Sequence, residues 1–223
     1  MRREGVDAPE IGALTGRSNA TTLDIGANRA DKGENFAAWF PFAQVFSFEP
    51  DPRAIRKILA RDPDPRVHPT QTALGRTIGK AVFHQSSGHD LGGGAIDQET
   101  GQVEEWDHSG SLREPKEHLE RFPWVKVDRT REVDVTTLDA RSAENHVKDI
   151  DFIWADAQGA EEDLILGGMN TLRNTRHFYT ELSTSELYAG AFGPNEMTDL
   201  LPCFEIVEAF QQGVLLRSKQ PWG

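Results

Sequence analysis

Cysteine is almost absent from this sequence. Cys203 stands alone, which excludes an internal disulfide and a metal site built from paired cysteines. No apolar run approaches the roughly 18 residues that span a bilayer, and the first residues lack the apolar stretch of a signal peptide. We therefore expect a cytoplasmic protein that does not enter a membrane.

Basic residues are also fewer than acidic residues in this chain. The chain has 24 lysine and arginine residues against 36 aspartate and glutamate residues, which gives a formal net charge of −12. A field of this sign repels phosphate groups, and the sequence contains no dense basic run. The composition therefore predicts no nucleic-acid partner, and no pattern indicates an oligomeric state.

What the sequence does contain is a regular alternation of short strand and helix patterns. A strand-like run at residues 21–25 precedes a helix pattern at residues 33–40. A second strand pattern at residues 45–48 precedes a helix that begins at Pro52. This order predicts an α/β fold with a mostly parallel, twisted sheet and helices on both faces.

The end of the chain has a different pattern. Residues 204–210 and 214–216 are strand-like and are separated by a short turn, which predicts an antiparallel hairpin. Parallel strands that end in such a hairpin are typical of a Rossmann-like methyltransferase sheet rather than a dehydrogenase sheet. The length of 223 residues suits a single domain. We assign residues 21–223 to it, residues 1–20 to a loosely held arm, and the glycine-rich residues 84–128 to an insert, either a lid or a plain surface loop.

Two strand ends carry the candidate ligand site. The first strand ends in Leu-Asp-Ile-Gly-Ala-Asn (residues 23–28), at the sheet edge where doubly wound folds bind ligands. Gly26 allows close backbone approach, so the amide groups there would hold a ligand carboxylate while Asp24 anchors an ammonium group. Glu49 ends the second strand, where an acid can accept hydrogen bonds from both hydroxyl groups of a ribose.

The type of nucleoside follows from what the first turn lacks. Within it, glycines stand only at positions 26 and 33, so the G-x-G-x-x-G dinucleotide fingerprint is missing, as is a phosphate-binding G-x-x-x-x-G-K-[ST] loop. A nucleoside without a pyrophosphate suits such a turn, and S-adenosylmethionine is one. A Rossmann-type oxidoreductase and a catalytically silent binding module with the same fold are the alternatives.

Five stretches of the chain form a recognisable set. They are Leu-Asp-Ile-Gly-Ala-Asn (23–28), Phe-Glu-Pro-Asp-Pro (48–52), Val-Thr-Thr-Leu-Asp (135–139), Asp-Phe-Ile-Trp-Ala-Asp-Ala-Gln-Gly-Ala-Glu (151–161) and Tyr-Thr-Glu-Leu (179–182). In these stretches the chain resembles the FkbM family of S-adenosylmethionine-dependent methyltransferases. The resemblance implies a Rossmann-like fold and O-methylation of a hydroxyl group on a small molecule or glycan, with a carbohydrate favoured.

The resemblance also assigns site residues. It puts Asp24, Gly26 and Asn28 in the family's cofactor loop and matches Glu49 to the family's ribose-binding acid. With their neighbours Ala27 and Pro50, these are the predicted cofactor-binding residues. Asp156 and Glu161 fall in the block that flanks the family's methyl-transfer site. The chain departs from the family at two positions, with Ala30 where a glycine is frequent and Trp154 where a lysine is frequent. If that lysine steadies the neighbouring carboxylates, its role is lost or moved in this chain.

Several polar residues are candidates for the chemistry itself. Asp156 ends its strand on the ligand-bearing edge, so it is the candidate general base or substrate-orienting group, with a helix cap as the alternative reading. His84 and His89 flank the glycine-rich segment, and His89 is an alternative base. The predicted substrate-binding residues are Glu161, Glu181 and His84. A metal site is not predicted, because no ligand spacing demands one among Asp156, Glu161, Glu181 and His177.

Overall fold

The described part of the chain, residues 5–89, 103 and 105–220 of the computed structural model, forms ten strands. In chain order they are β1 (Thr21–Ile25), β2 (Gln44–Phe48), β3 (Val67–Thr70), β4 (Ala73–Leu74), β5 (Gly79–Gly88), β6 (Val125–Thr136), β7 (Ile150–Ala155), β8 (Thr175–Glu181), β9 (Phe204–Ala209) and β10 (Gly213–Ser218). Seven of them make the main sheet, in the order β3-β2-β1-β7-β8-β10-β9. Neighbouring strands are parallel as far as β8, and β10 runs antiparallel to both β8 and β9.

The same residues contain eight helices. They are α1 (Ala8–Thr15), α2 (Asp31–Trp39), α3 (Pro52–Ala60), α4 (His118–Arg121), α5 (Leu138–Glu144), α6 (Glu161–Leu166), α7 (Met169–Arg173) and α8 (Pro194–Leu200). In this part of the chain no helix is long and apolar enough to cross a membrane. The strand–helix alternation and the closing hairpin confirm the predicted Rossmann-like α/β fold.

The segment predicted as a loosely held arm contains α1. The Asp7 side chain caps this helix by accepting a hydrogen bond from the Glu10 N–H over 3.0 Å, and Gly16 ends it with a φ of 62°. Ile11 is fully buried in the same apolar cluster as Phe36 of α2. Val6 and Leu14 pack in or against the same cluster. These few apolar residues in a short, otherwise polar segment are too weak a pattern to predict a helix from sequence.

Alternating side chains of the central strands fill two apolar cores. On one face of the sheet, Ile153 and Phe178 pack with side chains from α5 to α8. On the other face, Phe152 and Tyr179 pack with Phe36 of α2. Strand β7 is buried along its whole length, as expected for a parallel sheet that is covered on both faces. The carboxyl ends of the parallel strands therefore meet at one edge, where ligands bind in such folds.

A second sheet has three strands in the order β4-β6-β5. Its long hairpin pairs Gly79 with Val135 at one end and Gly88 with Val125 at the other. The sequence predicts only the half of this hairpin nearest Val135, because residues 128–132 are all exposed and show no apolar alternation. Both strands therefore extend into the segment that was assigned to an insert.

Gly26 is the point of closest approach between the loops that follow β1 and β7. Its φ of 75° lies in the left-handed region that favours glycine. A side chain at Gly26 would place its Cβ 1.9 Å from the Asp156 carbonyl oxygen, far inside contact distance. The approach is fixed by the Asp156 N–H, which donates to the Ile25 carbonyl oxygen over 2.9 Å.

We expect Gly26→Ala to lower the free energy of unfolding by about 2 kcal/mol or more, because the methyl group strains φ and collides with the Asp156 backbone. Gly12→Ala is the matched control. Gly12 lies in α1, where an added Cβ meets nothing within 4 Å, so stability should hold or rise. Urea unfolding of both variants measures the difference, and equal stabilities would contradict the steric account.

Candidate functional site

The candidate residues from different strands come together at the carboxyl edge of the main sheet. Gly26 follows β1, Glu49 follows β2 and Asp156 follows β7, while Glu181 is the last residue of β8. Two cavities open at this edge, and Asp156 lines both of them. The sheet topology thus joins residues that are more than a hundred positions apart in the sequence.

The first cavity lies at the ends of β1 and β2. Its wall contains four of the six predicted cofactor residues, namely Gly26, Asn28, Glu49 and Pro50. Apolar side chains of both sheets, among them Phe48, Leu74 and Phe83, complete the wall together with Leu112 from outside the sheets. The cavity therefore combines an apolar surface with a few polar groups, as small-molecule sites generally do.

Glu49 is held as a buried carboxyl group in this wall. It is 6% exposed; its Oε2 accepts the Asn28 N–H over 2.8 Å, and its Oε1 accepts the Asp51 N–H over 2.7 Å. Burial raises the pKa of Glu49 to about 8, although the two backbone hydrogen bonds act in the opposite direction. Each carboxyl oxygen keeps a lone pair for a further donor. The Asn28 Oδ1 is also buried and has no hydrogen-bond partner among the described residues.

The backbone amides of the first turn are already engaged. The N–H groups of Gly26 and Ala27 both donate to the Phe48 carbonyl oxygen over 3.0 Å, and that of Asn28 is held by Glu49. These bonds tie β1 to β2, which leaves the three N–H groups without a free hydrogen for the ligand carboxylate that the sequence predicts here. Ala27 is itself buried and packs in a small cluster with Ile55.

Asp24 does not line the cavity wall but lies two residues before the turn. The sheet register sets it in one row with Trp154 of β7 and Tyr179 of β8. Asp24 is 1% exposed and accepts the Gly33 N–H over 3.0 Å. Burial raises its pKa to about 7, while that hydrogen bond and the charge of Lys32 oppose the rise.

A lysine does reach this region, although Trp154 occupies the position where the family frequently has one. The Lys32 Nζ lies 3.9 Å from the centroid of the Trp154 ring, in a cation–π contact. Its charge opposes the rise in the pKa of each of three buried carboxyl groups, Asp24, Asp156 and Glu181. A positive charge near these groups is therefore supplied from α2 rather than from β7.

The second cavity adjoins the first, and Asp156, His108 and Gln158 line both. Its volume of about 490 Å³ lies within the usual range for ligand pockets. Glu161 and Glu181, which the sequence assigns to the substrate, are part of its wall. The structure thus brings the candidate base and both acidic substrate residues into one space.

Three carboxyl groups crowd this cavity. Burial raises the pKa of Asp156 to about 6, that of Glu161 to about 7 and that of Glu181 to about 8. The negative charge of Asp156 adds to the rise in the pKa of both glutamates. The Glu161 Oε1 accepts the N–H groups of Ala157 and Gly159 over 3.0 and 3.3 Å, so this side chain holds the loop after β7 together. Among the described residues, no group of three or more histidine, cysteine, aspartate or glutamate side chains is placed so that it could hold a metal ion.

Neither of the two predicted histidines lines these cavities. His84 lies within β5, opposite Thr130 of β6, and His89 is exposed just beyond that strand. Strand β5 extends beyond the apolar pattern in its sequence, and this extension places His84 within the strand and His89 just after its end. His118 of α4 lines the second cavity instead, and burial lowers its pKa, so that its ring is neutral at neutral pH. Its Nδ1 is buried and has no partner in the part of the chain described.

The second cavity also has an aromatic wall, which the sequence analysis missed. It consists of Trp106, Phe122, Trp124 and Tyr188. The rings of Trp106 and Trp124 meet edge to face, with their centroids 4.5 Å apart. Three of the four residues come from the end of the segment assigned to an insert, and this concentration of aromatic residues is the signal that could have found the wall.

Comparison with known proteins decides between the alternative functions. A family model described as the methyltransferase FkbM domain matches residues 24–211. The chain belongs to this family. It is 39% identical over 206 residues to the 2-O-methyltransferase NoeI of Sinorhizobium fredii, a match that covers 92% of this chain and 80% of that protein. The solved methyltransferase FkbM from Methylobacillus flagellatus has a similar fold, with a TM-score of 0.53 and 11% identity over 90% of this chain; the match spans only 44% of that longer chain.

Family membership confirms the predicted activity and cofactor. The protein is an S-adenosylmethionine-dependent O-methyltransferase, and the oxidoreductase and silent-module alternatives are set aside. The first cavity fits this ligand, because the buried Glu49 carboxyl group and the Asn28 Oδ1, which has no partner within the described ranges, are acceptors suited to a ribose diol.

We expect the ligand-free protein to lose stability as the pH rises from about 7 to about 8.5. Glu49 and Glu181, with pKa values of about 8, keep their protons in the folded state, whereas ordinary carboxyl groups in the unfolded state have lost theirs. The unfolded state then binds fewer protons, so the free energy of unfolding falls as the pH rises.

Urea unfolding across this pH range measures the decline. Glu49→Gln should make it smaller by about 1 kcal/mol, because one group that stays protonated only in the folded state is removed. Glu132→Gln is the control, since Glu132 is exposed on β6, and it should leave the decline unchanged. A stability that increases with pH over this range would contradict the burial of protonated carboxyl groups.

Proposed function

We propose that the chain transfers the methyl group of S-adenosylmethionine to a ring hydroxyl of a carbohydrate. The observation that carries this proposal is the junction of the two cavities, where one buried carboxyl group, Asp156, belongs to both walls. The first cavity takes the cofactor and the second takes the acceptor, so the reacting atoms meet beside Asp156. Nucleic acids and membranes are not expected partners, because the net charge of −12 repels anionic surfaces.

The residues of the first cavity support the placement of the cofactor. Glu49 can accept hydrogen bonds from both ribose hydroxyl groups, and the wall around Phe48 and Leu74 offers apolar contact to a purine. Asp24 is the candidate partner for the ammonium group, since it is the buried carboxyl group nearest the first turn in sequence. When bound, S-adenosylmethionine supplies a methyl group attached to a sulfonium sulfur. The neutral thioether that remains after methyl transfer is an excellent leaving group.

The second cavity supports a carbohydrate acceptor. Sugar rings have apolar C–H faces that pack on aromatic side chains, and the aromatic wall provides such a surface. Their hydroxyl groups need polar partners, and the same cavity contains Ser183, Gln211 and Gln212. The relative NoeI is a 2-O-methyltransferase by name, which supports a hydroxyl oxygen as the acceptor atom.

Alignment and proton removal are the two tasks left to the protein. Orientation of the acceptor oxygen lowers a barrier by about 7–11 kcal/mol, whereas a general base adds about 10²–10⁴-fold in rate. Asp156 is the group that accepts the hydroxyl proton, because it lines both cavities and therefore lies where the methyl donor and the acceptor meet. Glu181 is the second candidate, but it lines only the second cavity.

Two variants should separate cofactor binding from turnover. We expect Glu49→Ala to raise the Kd for S-adenosylhomocysteine about 10–100-fold, because the hydrogen bonds between the buried carboxyl group and the ribose are lost. Asp156→Asn should keep that Kd within a few-fold and lower kcat about 10²–10⁴-fold. Calorimetric titration and a methyl-transfer assay measure the two quantities. Unchanged affinity would remove Glu49 from the cofactor site, and parental turnover would exclude Asp156 as the base.

The aromatic wall yields a test of the acceptor. We expect Trp124→Ala to raise the acceptor KM about tenfold through lost ring contact, while the Kd for S-adenosylhomocysteine stays the same. Phe42→Ala removes an aromatic side chain that is 72% exposed and lines neither cavity, so it should change neither value. Steady-state kinetics with the two variants measures the effect; an unchanged acceptor KM in Trp124→Ala would show that the wall does not contact the acceptor.

The substrate class is decided by mass spectrometry of reactions with oligosaccharides and with phenolic alcohols. Methylated oligosaccharides and unmodified phenols are expected, because the second cavity combines an aromatic wall with several polar groups. Methylation of the phenols alone would overturn the carbohydrate assignment.

A further inference from the structure

Gln158 lies at the junction of the two cavities and makes three hydrogen bonds there. Its Nε2 donates to the Asp156 Oδ1 over 2.7 Å. Its Oε1 accepts the Tyr188 hydroxyl over 2.5 Å; the amide faces this way because a carboxylate can only accept, so the NH₂ group is turned to Asp156 and the oxygen to Tyr188. Its backbone carbonyl oxygen accepts the Ser111 hydroxyl over 2.6 Å.

The backbone of Gln158 is strained in the conformation that makes these contacts. Its φ is 51°, in the left-handed region that residues with a Cβ rarely adopt. Gly159 follows with a φ of 92°, and the Tyr188 side chain occupies the space where its Cβ would be, 2.7 Å away. Such strain persists only where the surroundings hold it, and it clusters at functional sites. The turn therefore sets the Gln158 side chain between Asp156 and Tyr188.

Residues 105–113, which we call the covering segment, reach Gln158 by two routes. Ser111 bonds to it directly, as described above. The carbonyl oxygen of Ser109 lies 3.2 Å from the Tyr188 hydroxyl, which in turn contacts the Gln158 amide. The covering segment contributes side chains to both cavities, and an ion pair between Lys57 and Asp107, with 2.6 Å between Nζ and Oδ2, anchors it to α3.

We propose that Gln158 is a positioning residue through which the covering segment and the Asp156 carboxyl group hold each other in place. The inference rests on the proposed function, in which Asp156 receives the proton of the acceptor hydroxyl. Because Gln158 occupies Oδ1, the acceptor is left with Oδ2. Orientation of the base then depends on a segment that forms walls of both cavities, so proton removal is tied to a complete site.

The titration of the Asp156 carboxyl carbon, followed by carbon-13 NMR and assigned with Asp156→Asn, tests this coupling without an acceptor. Gln158→Ala should raise the midpoint by about one pH unit, because a donor to the carboxylate is lost. Tyr188→Phe and Ser111→Ala remove groups that do not touch Asp156, and each should raise the midpoint by a smaller amount.

Ser87→Ala is the matched control for the deletion of a buried hydroxyl group. The Ser87 hydroxyl donates to Asp128 over 3.3 Å, within the hairpin of β5 and β6, and the midpoint should not change. Of the titratable groups around Asp156, only Tyr188 changes among the variants, and burial raises the pKa of its phenol, so Tyr188→Phe removes no charge at neutral pH. The groups that stay the same are Asp24 of β1, Lys32 of α2, Glu161 of α6, and Tyr179 and Glu181 of β8.

Shifts in all three variants would support the proposal. An unchanged midpoint in Gln158→Ala would overturn it, and so would a shift in that variant alone, since the covering segment would then have no effect on Asp156. The result is separate from the proposed function, because no methyl transfer is measured. Parental turnover in Asp156→Asn would exclude Asp156 as the base. The titration would still decide whether Gln158 couples the covering segment to Asp156.

Discussion

The close approach of two backbones at Gly26 is the constraint on which the rest of the site depends. Because Gly26 has no side chain, the Asp156 N–H comes near enough to donate to the Ile25 carbonyl oxygen. The same turn directs two further N–H groups to Phe48, which fixes the end of β2 and therefore Glu49. The acid proposed to bind the ribose and the proposed base are thus set relative to each other by the sheet, and sites built on such rigid elements hold their geometry well.

Burial of several acids in one place is the second constraint, since an ionised carboxyl group is costly away from water. The structure meets it mainly by protonation, with the pKa of Glu49 and of Glu181 raised to about 8. Burial raises the pKa of Asp156 as well, to about 6. What distinguishes Asp156 is its position, since among the described residues it is the carboxyl group that lines both cavities.

The sequence was sufficient to predict the parallel sheet and the position of Glu49 at its carboxyl edge, because each depends on a local pattern and on the rule that parallel strands end at one edge. It was not sufficient for His84 and His89, whose positions depend on how far β5 extends, and no apolar alternation marks that length. The family's preference for glycine at position 30 has a direct structural reason. Ala30 has a φ of 56°, a conformation that costs a residue with a Cβ about 1–2 kcal/mol.

Lys32 and Gln158 show which interactions can move within such a fold and which cannot. A charge acts over several ångströms, so Lys32 can influence Asp156 from α2 even though the family's lysine position holds Trp154. A hydrogen bond requires contact at about 3 Å and a suitable angle. The amide that contacts Asp156 comes from the loop that follows β7, two residues further along the chain, and the contact depends on the left-handed φ of Gln158. The position of Lys32 has no fixed sequence spacing and no local pattern marks the left-handed turn at Gln158, which is why both interactions became visible only in the folded chain.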